Sequence, residues 1–424
     1  MEKMIVKGQQ KLSGEVTIGG AKNSTVALIP AAILADTPVK FDSVPDILDV
    51  HNLMLILKAM NVDSTYRRGE LLVAPTKSVP LPGGAIRSLR ASYYFMGALL
   101  GKFGEAIVGF PGGDNIGPRP IDQHIKGFKA LGAHVEEKEN TVHITTGPEG
   151  LHGARIFFDL VSVGATINVL LAAVKAKGLT IMENVAREPE IVDLATFLNN
   201  MGAHIRGAGT NEIRVQGVDS LKSMNVHTII PDRIEAGTYL SFAAANGNGV
   251  LVKNVITEHL DPFLSKLEEM GVRMEIDEDE IYVPGGDVLS PVNIKTSPFP
   301  GFATDLQQPI TPLLMQARGS STIIDTLYPE RTKHIPEMQR MGAKISSKDG
   351  IITVGHSTDL SGTVVEAGEI RAGVSLVGLA LMAKGTTVIN KADNILRGYD
   401  RIVEKFRGLS VDLEVINESE SLNH

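Results

Sequence analysis

The run Ile125-Lys-Gly-Phe-Lys-Ala-Leu-Gly-Ala-His-Val-Glu-Glu137 contains the turn on which the chain is built. Its apolar residues, Ile125, Phe128 and Leu131, recur at helical spacing. Gly132 stands just past the last of them, where a residue without a Cβ takes the left-handed helix cap without penalty. His134-Val-Glu-Glu137 then reads as a strand. Thr141-Val-His-Ile-Thr145 answers it across the polar turn Lys138-Glu-Asn140, so the two form a hairpin.

The same step recurs along the chain. Met60-Asn-Val62, Leu131-Gly-Ala133, Met201-Gly-Ala203, Met270-Gly-Val272, Met341-Gly-Ala343 and Leu409-Ser-Val411 follow one another at intervals of roughly 70 residues. That period is long for a solenoid of small repeats and suits a compact repeated subdomain. Asn61 and Ser410 replace the glycine, which weakens the cap in those two copies. Further hairpins pair Arg273-Met-Glu-Ile276 with Ile281-Tyr-Val283, and Lys344-Ile345 with Gly350-Ile-Ile-Thr-Val354.

A second element keeps this period: small residues open a nearly all-apolar helix. The openings are Gly20-Ala-Lys-Asn-Ser24, Arg90-Ala-Ser92, Gly164-Ala-Thr166, Ala236-Gly-Thr238, Ala303-Thr-Asp305 and Arg371-Ala-Gly373. A helix apolar on all sides must be buried on all sides. A strand follows, as in Gly178-Leu-Thr-Ile-Met182 and Gly385-Thr-Thr-Val-Ile389. The expected fold is α/β, with two domains of three βαβαββ-type units each, helices inside and sheets outside.

Composition bounds the function. The chain has 424 residues, enough for two or three domains with real cores. It is 43% hydrophobic and 21% charged, as soluble globular proteins are. A net charge of -8 argues against a nucleic-acid partner, because no basic excess exists to neutralise phosphates. With no cysteine, disulfides, thiolate metal sites and cysteine catalysis are excluded, which fits a reducing compartment. The start, Met1-Glu-Lys-Met-Ile-Val-Lys-Gly8, lacks the apolar core of a signal peptide. No apolar run approaches the length of a membrane span. The expectation is a cytoplasmic protein without a membrane partner.

The unusual residues fall at two recurring joints. One is the loop Phe110–His124, which has three glycines and three prolines and carries Asp114, Arg119, Asp122 and His124. Its span from Phe110 to Pro120 reads as a lid that orders over an anionic substrate. Glu330-Arg331 and Arg397 occupy the matching place in later units. At the helix openings stand Lys22-Asn23, Arg90, Ser162-Val-Gly164, Asp232-Arg233, Asp305 and Arg371. A helix N-terminus already favours anions, and a cation placed there strengthens the preference. Surface ion pairing would explain any one of these arginines. Their recurrence at equivalent joints points to a shared, strongly anionic ligand.

Several of these stretches resemble the UDP-N-acetylglucosamine enolpyruvyl transferase family. They are Gly19-Gly-Ala-Lys-Asn23, Pro111-Gly-Gly-Asp-Asn-Ile-Gly-Pro-Arg-Pro120, Val161-Ser-Val-Gly-Ala-Thr166, Ala186-Arg-Glu-Pro-Glu-Ile-Val192, Pro231-Asp-Arg-Ile-Glu235 and Arg397-Gly-Tyr399. The resemblance spans nearly the whole chain. It implies a two-domain inside-out α/β barrel with the active site in the cleft between the domains. One domain would be residues 21–229, carrying the lid 110–120, and the other residues 1–20 plus 230–424. The first strand would therefore pack with the C-terminal domain. The implied reaction adds the enolpyruvyl group of phosphoenolpyruvate to the sugar 3′-hydroxyl and releases phosphate, the first committed step of peptidoglycan synthesis. It needs no metal or cofactor. The shikimate 3-phosphate transferase of the same fold and a non-catalytic sugar-nucleotide binder are the competing readings.

By the same resemblance, Lys22, Arg119 and Arg397 hold the phosphate of phosphoenolpyruvate, and Arg331 and Arg371 its carboxylate. Asp305 is the base near the 3′-hydroxyl, and Asn23 positions the reactants. Arg90, Asp122, His124, Ser162, Val163, Gly164 and Leu327 line the nucleotide side, where Arg119 also reaches. Asp114 stands where most of the family has cysteine, the residue that fosfomycin alkylates. The resemblance thus implies a general acid of a different kind and insensitivity to fosfomycin. Leu48 and Leu160 stand where lysine is common, and Pro329-Glu330 replaces an acid–asparagine pair. Leu160 lies on the expected nucleotide side, so acceptor affinity or identity is what that departure bears on.

Overall fold

All six helix-ending steps take the same backbone turn. Gly132, Gly202, Gly271 and Gly342 have φ of 96°, 108°, 92° and 93°, and Asn61 and Ser410 follow with 58° and 64°. The two copies without glycine thus keep the left-handed path. Asparagine tolerates it well, and for serine the Cβ costs about 1 kcal/mol. The computed structural model in which these turns are seen describes residues 1–77, 92–109, 120–138 and 141–418.

Five of the six expected apolar helices form: Lys22–Ala31, Phe95–Phe103, Val163–Ala173, Arg233–Asn246 and Ile370–Met382. Their residues are buried almost throughout, as helices apolar on every side must be. The helix expected after Ala303 is different. It is a 3-10 turn at Thr304–Leu306 followed, after a gap, by the short helix Thr311–Leu314. Pro309 and Pro312 have no N–H to give, and Gln307 and Gln308 bring amides that need partners. Asp305 therefore sits on a tight turn and not at the head of a long helix.

Each unit carries one open sheet, six in all among the described residues, and none closes on itself. The hairpins read from sequence appear in register: Ala133–Lys138 against Thr141–Thr146, Glu275–Ile276 against Glu280–Val283, and Ile345–Lys348 against Ile351–Val354. Helices lie inside and sheets outside, around two separate apolar cores. One core draws its residues from Ala21 to Ile229. The other takes Met4 to Ile18 and then Ile234 to Leu413. This is the two-domain inside-out α/β fold.

The chain begins in the second core. Strand Glu2–Lys7 lies antiparallel between Thr386–Asn390 and Leu413–Asn417, and Leu12–Thr17 runs parallel to Gly247–Lys253. The two crossings between the cores lie side by side. Ala21 N–H donates to Ile230 O at 2.7 Å and Asp232 N–H to Gly19 O at 2.9 Å. Gly20 is needed there, because a Cβ would come within 1.8 Å of Ser43 O. Beneath the crossing, Lys405 Nζ is buried between Glu235 Oε1 (2.8 Å) and Asp400 Oδ2 (3.0 Å). Glu235 Oε1 also accepts from Gly19 N–H, and Asp400 Oδ1 from Asp46 N–H. One buried charge network thus holds both crossings and a loop of the first core. None of the described helices is long and apolar enough to cross a membrane.

Candidate active site

A cleft of about 420 Å³ opens between the two cores, a usual size for a small-molecule site. Residues from 93 to 190 line one wall, and Arg233, Ser297–Phe299, Thr304, Asp305 and Leu327 line the other, with Asn23 at the Asp305 end.

The first wall is made by helix starts. Ser162 caps Val163–Ala173, its Oγ accepting from Ala165 N–H at 3.1 Å. Such a cap is worth about 1 kcal/mol. Gly164 in the first turn leaves room for a ring; a Cβ would lie 3.1 Å from His124 Nε2 and 3.2 Å from the Tyr93 hydroxyl. His124 is buried against the edge of Tyr93, and neither ring nitrogen has a hydrogen-bond partner among the described residues. Burial pushes its pKa down to about 4, with Asp122 opposing weakly, so the ring is neutral near pH 7. Asp122 opens the helix Asp122–Ala130 and accepts from Gln123 Nε2 at 3.0 Å. Leu160, on the same wall, is 64% exposed.

The opposite wall is held by Asp325, a buried carboxylate that the sequence reading did not single out. It accepts from Thr296 Oγ1 (2.8 Å), Thr304 Oγ1 (2.6 Å) and the N–H groups of Leu327 (3.1 Å) and Tyr328 (2.9 Å). This fixes the loop that presents Leu327 to the cleft. Glu188 and Glu190 also line the cleft. Glu190 pairs with Arg233 at 3.2 Å, and Arg233 lies over the Phe299 ring at 5.3 Å. Burial, then Glu190, pushes the Glu188 pKa up.

At the Asn23–Asp305 end the expected cations form one run of contacts. Arg331 is fully buried, donating through Nε to Glu369 Oε1 at 3.1 Å and through Nη1 to Asp305 Oδ1 at 2.9 Å. Arg371 reaches Asp305 Oδ2 at 3.7 Å and lies over the Tyr399 ring at 5.1 Å. Its buried Nη1 has no hydrogen-bond partner among the described residues. Asn23 Nδ2 donates to Asp305 Oδ2 at 3.2 Å, so the first core touches the second here. Burial alone would push the Asp305 carboxyl up, but Arg371, Arg331 and Lys22 outweigh it and hold it well below the ordinary carboxylate range. Beside Asn23, Lys22 Nζ lies 3.5 Å from Asp49 Oδ2, and Arg397 Nε donates to Asp49 Oδ1 at 3.0 Å.

Lys22, Asn23, Asp305, Arg331, Arg371 and Arg397 therefore converge, and Asp122, His124, Ser162, Val163, Gly164 and Leu327 line the adjoining cleft. Arg90, Asp114, Arg119 and the lid lie outside the described residues. Asp49, Glu369 and Asp325 were not anticipated. Glu188 and Glu190 lay within the Ala186–Val192 motif but had been given no role.

Comparison with known proteins gives the family. The model of the EPSP synthase (3-phosphoshikimate 1-carboxyvinyltransferase) family matches residues 6–406. The chain is 64% identical over 422 residues, 99% of each protein, to UDP-N-acetylglucosamine 1-carboxyvinyltransferase 2 of Lactiplantibacillus plantarum. It is 61% identical to the protein of that name from Latilactobacillus sakei, over 99% of this chain and 100% of the relative. Among solved structures it superposes on the enolpyruvyl transferase NikO from Streptomyces tendae with a TM-score of 0.88 at 23% identity, covering 98% of both chains. EPSP synthase from Acinetobacter baumannii gives 0.71 at 18% identity, covering 98% of this chain and 100% of that one.

Proposed function

Because the chain belongs to the enolpyruvyl transferases of the EPSP synthase family, and within it to the UDP-N-acetylglucosamine 1-carboxyvinyltransferases, we propose that it makes the first committed intermediate of peptidoglycan synthesis. It transfers the enolpyruvyl group of phosphoenolpyruvate to the 3′-hydroxyl of UDP-N-acetylglucosamine and releases phosphate. The observation that carries this reading is the convergence of Lys22, Arg331, Arg371 and Arg397 at the end of a cleft lined by two helix starts. A compact polyanion needs that much positive charge, and a sugar nucleotide needs that much length.

Lys22, Arg397 and Arg119 bind the phosphate of phosphoenolpyruvate, and Arg331 and Arg371 its carboxylate. The unspent Nη1 of Arg371 supports this, since a buried donor without an acceptor costs about 1–3 kcal/mol until a ligand satisfies it. The reaction then needs a proton delivered to C3 of the enol and one removed from the sugar hydroxyl, whose oxygen bonds to C2. Loss of a C3 proton with cleavage of the C2–O bond expels phosphate and leaves the enol ether. Asp305 takes the hydroxyl proton. In the free protein it is a weak base, held down by its two arginines. When a substrate carboxylate engages Arg331 and Arg371, that restraint weakens and its basicity rises.

Asp114 delivers the proton to C3. A free aspartic acid has a pKa of about 3.9 and a thiol about 8.5, so the carboxyl must be pushed up by nearby substrate anions to act as an acid. Neutral His124, Asp122, Ser162–Gly164, Leu327, Arg90 and Arg119 hold the nucleotide. The two cores act as two domains, residues 21–229 and residues 1–20 with 230–424, in a cytoplasmic protein.

The direct test is phosphate release from phosphoenolpyruvate, measured with UDP-N-acetylglucosamine and separately with shikimate 3-phosphate. Release with the sugar nucleotide alone is expected. Release only with shikimate 3-phosphate would overturn the reading.

A further inference from the structure

Asp49 has no part in the roles assigned so far, yet it touches two of the cations that carry them. It lies in the first turn of the helix Leu48–Ala59 and is nearly buried. Its Oδ2 is 3.5 Å from Lys22 Nζ. Its Oδ1 accepts from Arg397 Nε at 3.0 Å, and Oδ2 from Arg397 Nη2 at 3.5 Å. Lys22 and Asp49 lie in the stretch of chain that builds the first core, and Arg397 in the stretch that builds the second. One carboxylate therefore binds a cation from each side of the cleft. The approach is tight: a Cβ on Gly398 would lie 3.4 Å from Lys22 Cδ and 2.6 Å from Ile370 Cγ2.

Resting on the proposed function, we infer that Asp49 is a positioning residue for the phosphate end of phosphoenolpyruvate. It fixes Lys22 and Arg397 at one separation and offsets their charge until a phosphate group takes its place. Two cations held near each other in a part-buried site repel, and without a counter-ion their side chains would swing apart or recruit a stray anion. Asp49 lies in the first turn of its helix, where the dipole favours a negative charge. The arriving phosphate competes with Asp49, which lowers ground-state affinity while keeping the donors aimed. That combination favours turnover over tight binding of substrate or phosphate product.

The test compares Asp49→Asn and Asp49→Glu with the parent protein, using inorganic phosphate as the calorimetric probe alongside steady-state kinetics. For Asp49→Asn, kcat falls about tenfold or more because the cations lose their aim. Phosphate binds about threefold tighter or more because a competing charge has gone. Affinity for UDP-N-acetylglucosamine stays within about twofold, since the nucleotide side is untouched. Asp49→Glu keeps the charge, so phosphate affinity matches the parent's while kcat falls less than in Asp49→Asn. If Asp49→Asn proves unfolded by circular dichroism, Asp49→Glu carries the test alone: kcat falls below the parent's while phosphate affinity matches it, and a kcat within twofold of the parent's overturns the inference. A kcat within twofold of the parent, or phosphate binding that weakens in step with kcat, would overturn the inference. A parent protein that releases no phosphate with UDP-N-acetylglucosamine would instead refute the proposed function, while the phosphate titrations would still read the coupling.

Discussion

At the anion end of the cleft Lys22, Arg331, Arg371 and Arg397 each already face a carboxylate: Asp49, Glu369 or Asp305. At the end where the nucleotide is proposed to bind, His124 is neutral, buried and without a hydrogen-bond partner among the described residues, near the exposed Leu160. The difference follows from what each end must hold. A guanidinium cannot be buried alone, so the protein supplies a counter-ion, part of which the substrate replaces in the proposed reaction. An uncharged ring costs less to bury and can wait for its ligand. Charge is compensated before binding at one end, and shape is left unfilled at the other.

That contrast breaks most sharply at the acid. Asp114→Asn should lower turnover by about 100-fold or more and leave UDP-N-acetylglucosamine affinity unchanged; normal phosphate release in that variant would remove Asp114 from the chemistry. Asp114→Cys should keep activity and gain time-dependent inactivation by fosfomycin, which the parent should resist, because alkylation needs a thiolate.

A smaller effect separates the two ends directly. Arg397→Ala, or Lys22→Ala, removes a charge-assisted contact of about 1.5–3 kcal/mol. The apparent affinity for phosphoenolpyruvate should fall in proportion, and that for the sugar nucleotide should hold. Equal losses for both ligands would show that the ends are not separate sites.

Gly164→Ala probes the nucleotide end. The new methyl meets His124 and Tyr93 at 3.1 and 3.2 Å, so the rings must shift. The KM for UDP-N-acetylglucosamine should rise about threefold to tenfold, equivalent to about 1 kcal/mol. The phosphoenolpyruvate KM should stay put. An unchanged nucleotide KM would mean that the His124 ring does not meet this ligand.

The last expected effect is on stability against pH and lies outside catalysis. His124 is held down to about 4 in the folded chain, against an ordinary histidine value of about 6.5. The unfolded chain therefore binds the extra proton first, and stability is lost as pH falls from about 6.5 towards 4. His334, pushed down to about 3 by burial and then by Arg331, acts in the same direction. Above pH 7 neither contributes a slope. Urea midpoints measured from pH 7.5 to 4.5 should show the decline, and His124→Asn should make it shallower. An identical slope in that variant would place His124 in water.

The separation of ends also marks what could be read before folding. The repeat was legible because helix, left-handed turn and hairpin are local, and Gly132, Gly202, Gly271 and Gly342 announce the turn within a few residues. Lys22, Arg331, Arg371 and Arg397 were legible because they recur at equivalent joints. The break at Thr304–Leu306 was marked by Pro309 and Pro312, but the apolar residues around them still suggested a continuous helix.

Sequence alone thus determined the repeated unit, its two-domain grouping in outline, and the concentration of cations at its joints. Only the tertiary structure decided which carboxylate faces which cation. Asp49 is a first-turn acid like any that complements a helix dipole, and it meets Arg397 across 348 positions of chain. Glu369 and Asp325 are likewise ordinary until the fold buries them. Local chemistry sets the periodicity, whereas ion pairing depends on distances that exist only once the two cores have closed on each other.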